Sequence, residues 1–140
     1  MTLKMDVPAL QGFLAETFPE VADDFTVLEA ADDRLRVALN TSERHLRPGG
    51  TVSGPTLFAL VDVGMYLAIL SHIGPVALAV TTNCAIDFMR KPPSGAQLVC
   101  TARLLKLGKA LAVGDTLVHA EGVTGAVARA SLTYSIPPAR

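Results

Sequence analysis

The run Gly54-Pro-Thr-Leu-Phe-Ala-Leu-Val-Asp-Val-Gly-Met-Tyr-Leu-Ala-Ile-Leu-Ser-His-Ile-Gly-Pro75 decides the fold. Pro55 suits the first position of a helix, and Gly74-Pro75 is a helix stop. Between them Leu57, Phe58, Leu60, Val61, Val63, Met65, Tyr66, Leu67, Ile69 and Leu70 leave no polar face at any angle, which predicts a helix buried all round. From Val76 the period changes to two. Val76, Leu78, Val80, Thr82, Cys84, Ile86 and Phe88 alternate with Ala77, Ala79, Thr81, Asn83, Ala85 and Asp87, predicting one long strand with an apolar face and a small or polar face. A buried helix followed by such a strand requires a sheet that covers the helix.

Outward from this pair the chain supplies that sheet. Lys91-Pro-Pro-Ser-Gly95 predicts a turn, Leu98 to Lys106 a returning strand, and Leu107-Gly-Lys109 a second turn. Ala110 to Glu121 and Val127 to Ile136 read as two more β-rich runs. Upstream, Asp6 is a candidate N-cap with Pro8 in the first turn, and Leu10, Phe13, Leu14 and Phe18 recur at helical spacing until Pro19. Phe25 to Ala30 and Arg34 to Asn40 form a predicted hairpin across Asp32-Asp33, and Arg44 to Gly54, rich in Gly and Pro, is a loop. The expected class is α+β: one antiparallel sheet wrapped around a long hub helix, with a short N-terminal helix, all within a single domain over 1–140.

Composition narrows the function. Twelve Lys and Arg against thirteen Asp and Glu give a net charge of −1, so there is no basic field for nucleic acid or an anionic membrane. Half of the 140 residues are hydrophobic and only 18% are charged, an excess that predicts self-association as a dimer or a dimer of dimers. Val63 to Ile86 lacks Asp, Glu, Lys and Arg outright, yet Gly74-Pro75 interrupts it, so a helix followed by a strand is preferred to a membrane span. The first twenty residues do not read as a signal peptide, and the expected location is cytoplasmic. Cys84 and Cys100, in separate strand-like runs, read as small hydrophobes. His45, His72 and His119 have no metal-ligand spacing, and neither a metal nor a cofactor is expected.

The residue that breaks the apolar helix is Asp62. An ionised group there costs several kcal/mol unless compensated, on the order expected for burial of a carboxylate. It is either bonded to a neighbouring strand or subunit, or it faces a ligand. Eight positions earlier, Gly54 places its N–H among the unpaired donors that open the helix, where polarised oxygens bind. A carbonyl near Gly54 and a base or nucleophile at Asp62 define the candidate chemistry.

Arg47-Pro-Gly-Gly-Thr-Val-Ser-Gly-Pro-Thr-Leu-Phe-Ala-Leu-Val-Asp62, followed by the long strand and Arg90-Lys-Pro-Pro, resembles the hotdog-fold thioesterases of the phenylacetic-acid-pathway (PaaI-like) type. The resemblance runs from about Arg34 to the end of the chain. It implies hydrolysis of acyl-coenzyme A thioesters without a metal, in active sites built between two subunits. By matching position, it implies that the Gly54 N–H polarises the thioester carbonyl, that Asp62 is nucleophile or general base, and that Thr81 helps to position the attacking water. The family Asn falls on Arg47, the family His on Ser53, and the second family glycine on Pro55. In these positions Ser53 is a candidate hydrogen-bond donor and Arg47 a candidate oxyanion contact.

Tyr66, Thr82 and Asn83 join Arg47 and Pro55 as candidate substrate contacts, with Tyr66, Phe58 and Met65 setting pocket depth. Arg90 and Lys91 are candidates for the coenzyme A phosphates. His45, eight residues before Ser53, is a candidate replacement for the family His. No Gly-x-Ser-x-Gly elbow or Gly-rich phosphate loop is present, and no His on the hub helix or its entry loop suits a hotdog dehydratase. The competing reading is a catalytically weak or inactive hotdog protein that binds acyl thioesters.

Overall fold

The computed structural model describes residues 3–92 and 95–138. Helix α1 (Val7–Thr17) precedes a hairpin of β1 (Phe25–Ala31) and β2 (Arg34–Leu39). The long helix α2 (Gly54–Ile73) follows, then β3 (Val80–Phe88), β4 (Leu98–Leu107), β5 (Leu111–Ala120) and β6 (Ala128–Ser135). The six strands form one antiparallel sheet in the order β1-β2-β4-β5-β6-β3. After α2 the chain therefore crosses to the far edge, lays β3 beside β6, and returns to insert β4 next to β2. This is the α+β hotdog architecture, a sheet curled around a central helix.

Small residues let the helix lie close to the sheet. Cys100, Ala102, Ala112, Ala128 and Ala130 are buried along the inner face. A Cβ added to Gly64 of α2 would stand 2.7 Å from the Cys100 sulfur, and one added to Gly114 of β5 would overlap the Met65 side chain. An extra methyl at either point has no space, and overpacking of this kind costs about 1–3 kcal/mol. The C-terminal end of α2 is closed from outside: the Lys4 and Met5 amides donate to Ser71 O at 2.7 and 3.3 Å. Asp6 caps α1 by accepting from the Ala9 amide at 3.0 Å, and the Gln11 side chain clips α1 to β1 through Phe25 O (2.9 Å) and the Val27 amide (2.8 Å).

Three local expectations need correction. First, α2 begins at Gly54 with Ser53 as its N-cap, so Pro55 occupies the second helical position. Second, α2 is sealed from Gly64 to His72 only; in its first half Pro55, Phe58 and Ala59 are exposed and Asp62 and Val63 are half-buried. The apolar periodicity is unbroken there, but the sheet covers only one side of that half. Third, the strand begins at Val80, because Val76 to Ala79 form a turn closed by the Ala79 amide on Val76 O at 3.2 Å. Alternation from Val76 to Ala79 resembles a strand, although β3 pairing begins only at Val80. The predicted turn Lys91 to Gly95 includes Pro93 and Ser94, which lie outside the described residues. By length and mean hydropathy (1.7) α2 is long and apolar enough to cross a membrane, but 67% of that window is buried by the rest of the chain.

Candidate active site

Residues three and four apart share a helix face, so the exposed stripe of Pro55, Phe58 and Ala59 leads straight to Asp62 and on to Tyr66. At Asp62 the stripe opens into a cavity of about 340 Å³. Its polar wall is Asp62, Thr81 and Tyr134; its apolar wall comes from Val63, Tyr66, Ala79 and Val80 together with Leu14, Phe18 and Val21 near the end of α1. The Tyr66 ring is bracketed by Phe18, edge-on at 5.8 Å between centroids, and by Tyr134 at 6.2 Å.

Two hydroxyls hold the carboxylate. The Thr81 Oγ1 and Tyr134 phenol both donate to Asp62 Oδ1, at 2.5 and 2.7 Å. The two donors are direct cross-strand partners, Thr81 of β3 opposite Tyr134 of β6, and a bulge explains how β3 aims one there. The register shifts between Thr81 and Asn83, so Thr81 points inward and, one extra residue later, Cys84 and Ile86 resume the inward face. Hydrogen bonds to a charged acceptor contribute about 1.5–3 kcal/mol each and offset part of the desolvation of the carboxylate. No salt bridge reaches Asp62 among the described residues. Burial first, and then the Asp62 charge, push the Tyr134 phenol far above its usual range, so it is a proton donor at any working pH. The same two causes, in the same order, push the neighbouring Cys84 thiol up.

The other end of the stripe presents one free donor. Of the opening amides of α2, Pro55 has no N–H, Thr56 donates to Ser53 Oγ at 3.3 Å and Leu57 to Ser53 O at 3.1 Å. That leaves the Gly54 N–H without a protein acceptor among the described residues, at the positive end of a twenty-residue helix. The Phe88 ring lies over this glycine, 3.4 Å from where a Cβ would stand.

The remaining predicted residues are dispersed. Ser53 Oγ is engaged with the Thr56 amide and with Thr56 Oγ1 at 2.8 Å. Arg47 is exposed in a tight loop whose ends are tied by its own amide to Thr51 O at 2.8 Å. Thr82, the bulged residue, donates to Thr133 O at 3.3 Å, and it and Asn83 are exposed and outside the Asp62 cavity. Arg90 and Lys91 are exposed beyond the end of β3, and Arg90 donates to Ala126 O at 2.8 Å. His45 is turned away from the site: its Nδ1 accepts from the Ser42 amide at 2.9 Å and its Nε2 lies 3.4 Å from Asp24. His72 is buried at the end of α2, where burial pushes its imidazole down. Among the described residues no three His, Cys, Asp or Glu side chains form a metal-holding group.

Three contributors escape the sequence reading. Tyr134 lies in the run Val127 to Ile136, where inward alternation through Ala128, Ala130 and Leu132 marks it as a core position, and its phenol is the unread clue. Phe18 and Val21 follow α1 and carry no pattern that points to Asp62.

Comparison with known proteins places the chain in a family. The thioesterase superfamily pattern matches residues 49–127. The chain belongs to the thioesterase superfamily and is a thioester hydrolase by class. Its fold matches a crystal structure of a "putative thioesterase" from Silicibacter sp. TM1040 with a TM-score of 0.92 and 54% identity, covering 99% of this chain and 96% of that one. It matches the phenylacetic acid degradation protein PaaI of Thermus thermophilus, in its N33D form, with a TM-score of 0.73 and 29% identity over 85% of this chain and 99% of that one. Mouse acyl-coenzyme A thioesterase 13 is 31% identical over 71% of each chain. A "putative esterase" of Pseudomonas aeruginosa is 31% identical over 95% of this chain and 99% of its own length. One from Deinococcus radiodurans is 34% identical, and the chain spans 57% of that protein's length.

Proposed function

We propose that the protein hydrolyses acyl-coenzyme A thioesters, with Asp62 as general base or nucleophile and the Gly54 N–H polarising the thioester carbonyl. The observation that carries this is an Asp62 held by two neutral hydroxyls and no cation at the wall of an apolar cavity. Its charge is kept available there rather than cancelled. In the general-base form Asp62 takes a proton from water as the water oxygen bonds to the thioester carbon. The carbonyl electron pair moves onto oxygen beside the Gly54 N–H, then returns as the C–S bond breaks. Coenzyme A leaves as a thiolate that takes up the proton.

Both residues cannot serve one carbonyl from a single chain. Eight residues of helix rise roughly 12 Å, whereas a base within about 3.5 Å of the carbon and a donor about 3 Å from the oxygen span much less. The reaction centre therefore combines Gly54 of one copy with Asp62 of another. The unpaired edge of β3, with Val80 and Phe88 about half exposed and Phe88 lying over Gly54, is the surface through which a dimer would form; pairs of dimers give a tetramer. The acyl group occupies the cavity between α2 and the end of α1, and Arg90 and Lys91 meet the phosphates. Nothing in this chemistry requires a metal or cofactor, and the proposed setting is the cytoplasm.

The test is thiol release from short, long and aromatic acyl-coenzyme A at neutral pH by wild type and Asp62→Asn. Saturable release that the substitution abolishes supports the proposal; unchanged rates across the acyl panel would sink it. A second reading is favoured by two observations: Ser53 spends its hydroxyl on the helix cap, and Arg47 stands in solvent. If these positions have lost their chemistry, the protein binds acyl thioesters without turning them over, and saturable binding with no thiol release would establish that.

A further inference from the structure

We propose that Tyr134 is a positioning residue for Asp62: its phenol fixes one carboxylate oxygen and leaves the other for the reaction. The inference rests on the hydrolytic reading above and adds to it a residue that the Gly54 and Asp62 pattern does not contain. Tyr134 is 2% exposed. Its oxygen stands 2.7 Å from Asp62 Oδ1 and 3.0 Å from Asp62 O, so it grips side chain and main chain of the same residue. Thr81 donates to that same Oδ1, while Oδ2 has no hydrogen-bond partner among the described residues. A carboxylate bonded twice through one oxygen has its rotation about the side chain fixed and its second oxygen free.

The phenol has a single proton and two acceptors. While Asp62 is ionised, the shorter contact to Oδ1 is the favoured one, because hydrogen bonds to charged acceptors are the stronger. When Asp62 takes up a proton, or its oxygen becomes part of an acyl anhydride, Oδ1 loses that charge. The O–H then turns to the helix carbonyl at 3.0 Å. Neither change requires a heavy atom to move, so the carboxylate passes through the reaction in one orientation. Donation from the phenol favours the ionised carboxylate in the geometry that the reaction needs. The groups that face Asp62 are Thr81 and Cys84 from β3, Tyr134 from β6 and Tyr66 from α2, and α1 contributes only apolar side chains to the cavity. None of them supplies a cation that would mask the effect.

The experiment is the pH profile of kcat and KM for acyl-coenzyme A hydrolysis in wild type, Tyr134→Phe, Asp62→Asn, and protein with 3-fluorotyrosine at position 134. Tyr134→Phe is expected to lower kcat roughly tenfold with KM nearly unchanged, and to move the acid limb up by roughly half a pH unit or more, because the ionised form has lost a donor. Fluorotyrosine, a stronger donor of nearly the same shape, is expected to move the limb down. Opposite shifts cannot come from loosened packing. Wild-type kcat and acid limb in both Tyr134 variants, with Asp62→Asn inactive, would overturn the role of Tyr134 and leave the hydrolytic reading standing. Turnover that persists in Asp62→Asn would overturn the reading itself. If Tyr134→Phe fails to fold, an unmoved limb in the fluorotyrosine protein alone decides against the inference.

Discussion

Asp24 and Asp62 are both carboxylates drawn in from solvent, and their surroundings differ in kind. Asp24 is 8% exposed at the base of β1 and is met by the Arg44 guanidinium and by His45 Nε2 at 3.4 Å, while the His45 ring closes a capping box with Ser42. Its charge is neutralised by a cation, and its neighbours are tied to one another. Asp62 has two hydroxyls, no cation and a cavity beside it. The first arrangement holds the loop Asn40 to Ser53 against the hairpin. The second leaves a charge beside a cavity without cancelling it. A triad-like order of Asp24, His45 and Ser42 thus carries no catalytic meaning here: the single Nδ1 lone pair of His45 accepts the Ser42 amide at 2.9 Å, and the Ser42 hydroxyl lies farther off at 3.3 Å.

Substitutions at these two positions should separate function from stability. Asp62→Asn is expected to lower kcat by about three orders of magnitude or more, the scale of losing a general base with its electrostatics, with a melting temperature close to wild type, because the amide still accepts from Thr81 and Tyr134. Asp24→Ala is expected to do the reverse. It leaves His45 without its partner and frees Arg44, which is mostly exposed, so the loss is about 1–3 kcal/mol of stability by denaturant titration, with kcat within a few-fold of wild type. Loss of turnover in Asp24→Ala at a temperature where the protein is fully folded would break the contrast.

A third substitution asks how far the Asp62 cavity is shaped from outside the hub. Phe18 packs edge-on against Tyr66 and walls the cavity from just past the end of α1. Phe18→Ala opens that wall, and is expected to raise KM for the best short or aromatic acyl group several-fold while favouring longer chains, because the lost contact is apolar area worth about 1–3 kcal/mol. Equal KM changes across an acyl-chain panel would place Phe18 outside the acyl path.

The hub helix and the period-two run after it made the fold legible, since a helix apolar on every side must be buried and the strand-like runs around it supply a sheet as cover. What the pattern could not show was where the cover stops. Phe58 and Ala59 read like Leu67 and Ile69, and only the strand order leaves the first pair bare. The same limit applies to Asp62. Its presence in an apolar helix is plain in the sequence, but its partners lie 19 and 72 residues away on strands β3 and β6. A bulge at Thr82, which no local residue announces, decides that Thr81 turns inward while Thr82 and Asn83 do not. Long-range register, set by pairing, chose between three adjacent polar residues that looked equivalent.

Ser53 is the smallest and sharpest test of that lesson, because the position that the resemblance sets against a family His is occupied here by a residue whose geometry is that of an N-cap. Its Oγ accepts from the Thr56 amide, and Thr56 Oγ1 at 2.8 Å completes the turn. Removing the cap in Ser53→Ala costs about 1 kcal/mol of stability, a shift of a few degrees in melting temperature for a chain of this size. Ser53→Asp keeps a capping oxygen and adds charge at the positive end of α2, so it should recover the stability. The same charge stands next to Gly54, where an oxyanion would form, and should slow hydrolysis. A cap alone predicts stability lost in Ala with kcat within about threefold of wild type, and stability regained in Asp with kcat reduced; opposed orders of the two variants in melting and in turnover follow from the geometry. A tenfold fall in kcat for Ser53→Ala at full folding would return the hydroxyl to the chemistry and bring the two ends of the exposed stripe closer in kind than the structure makes them.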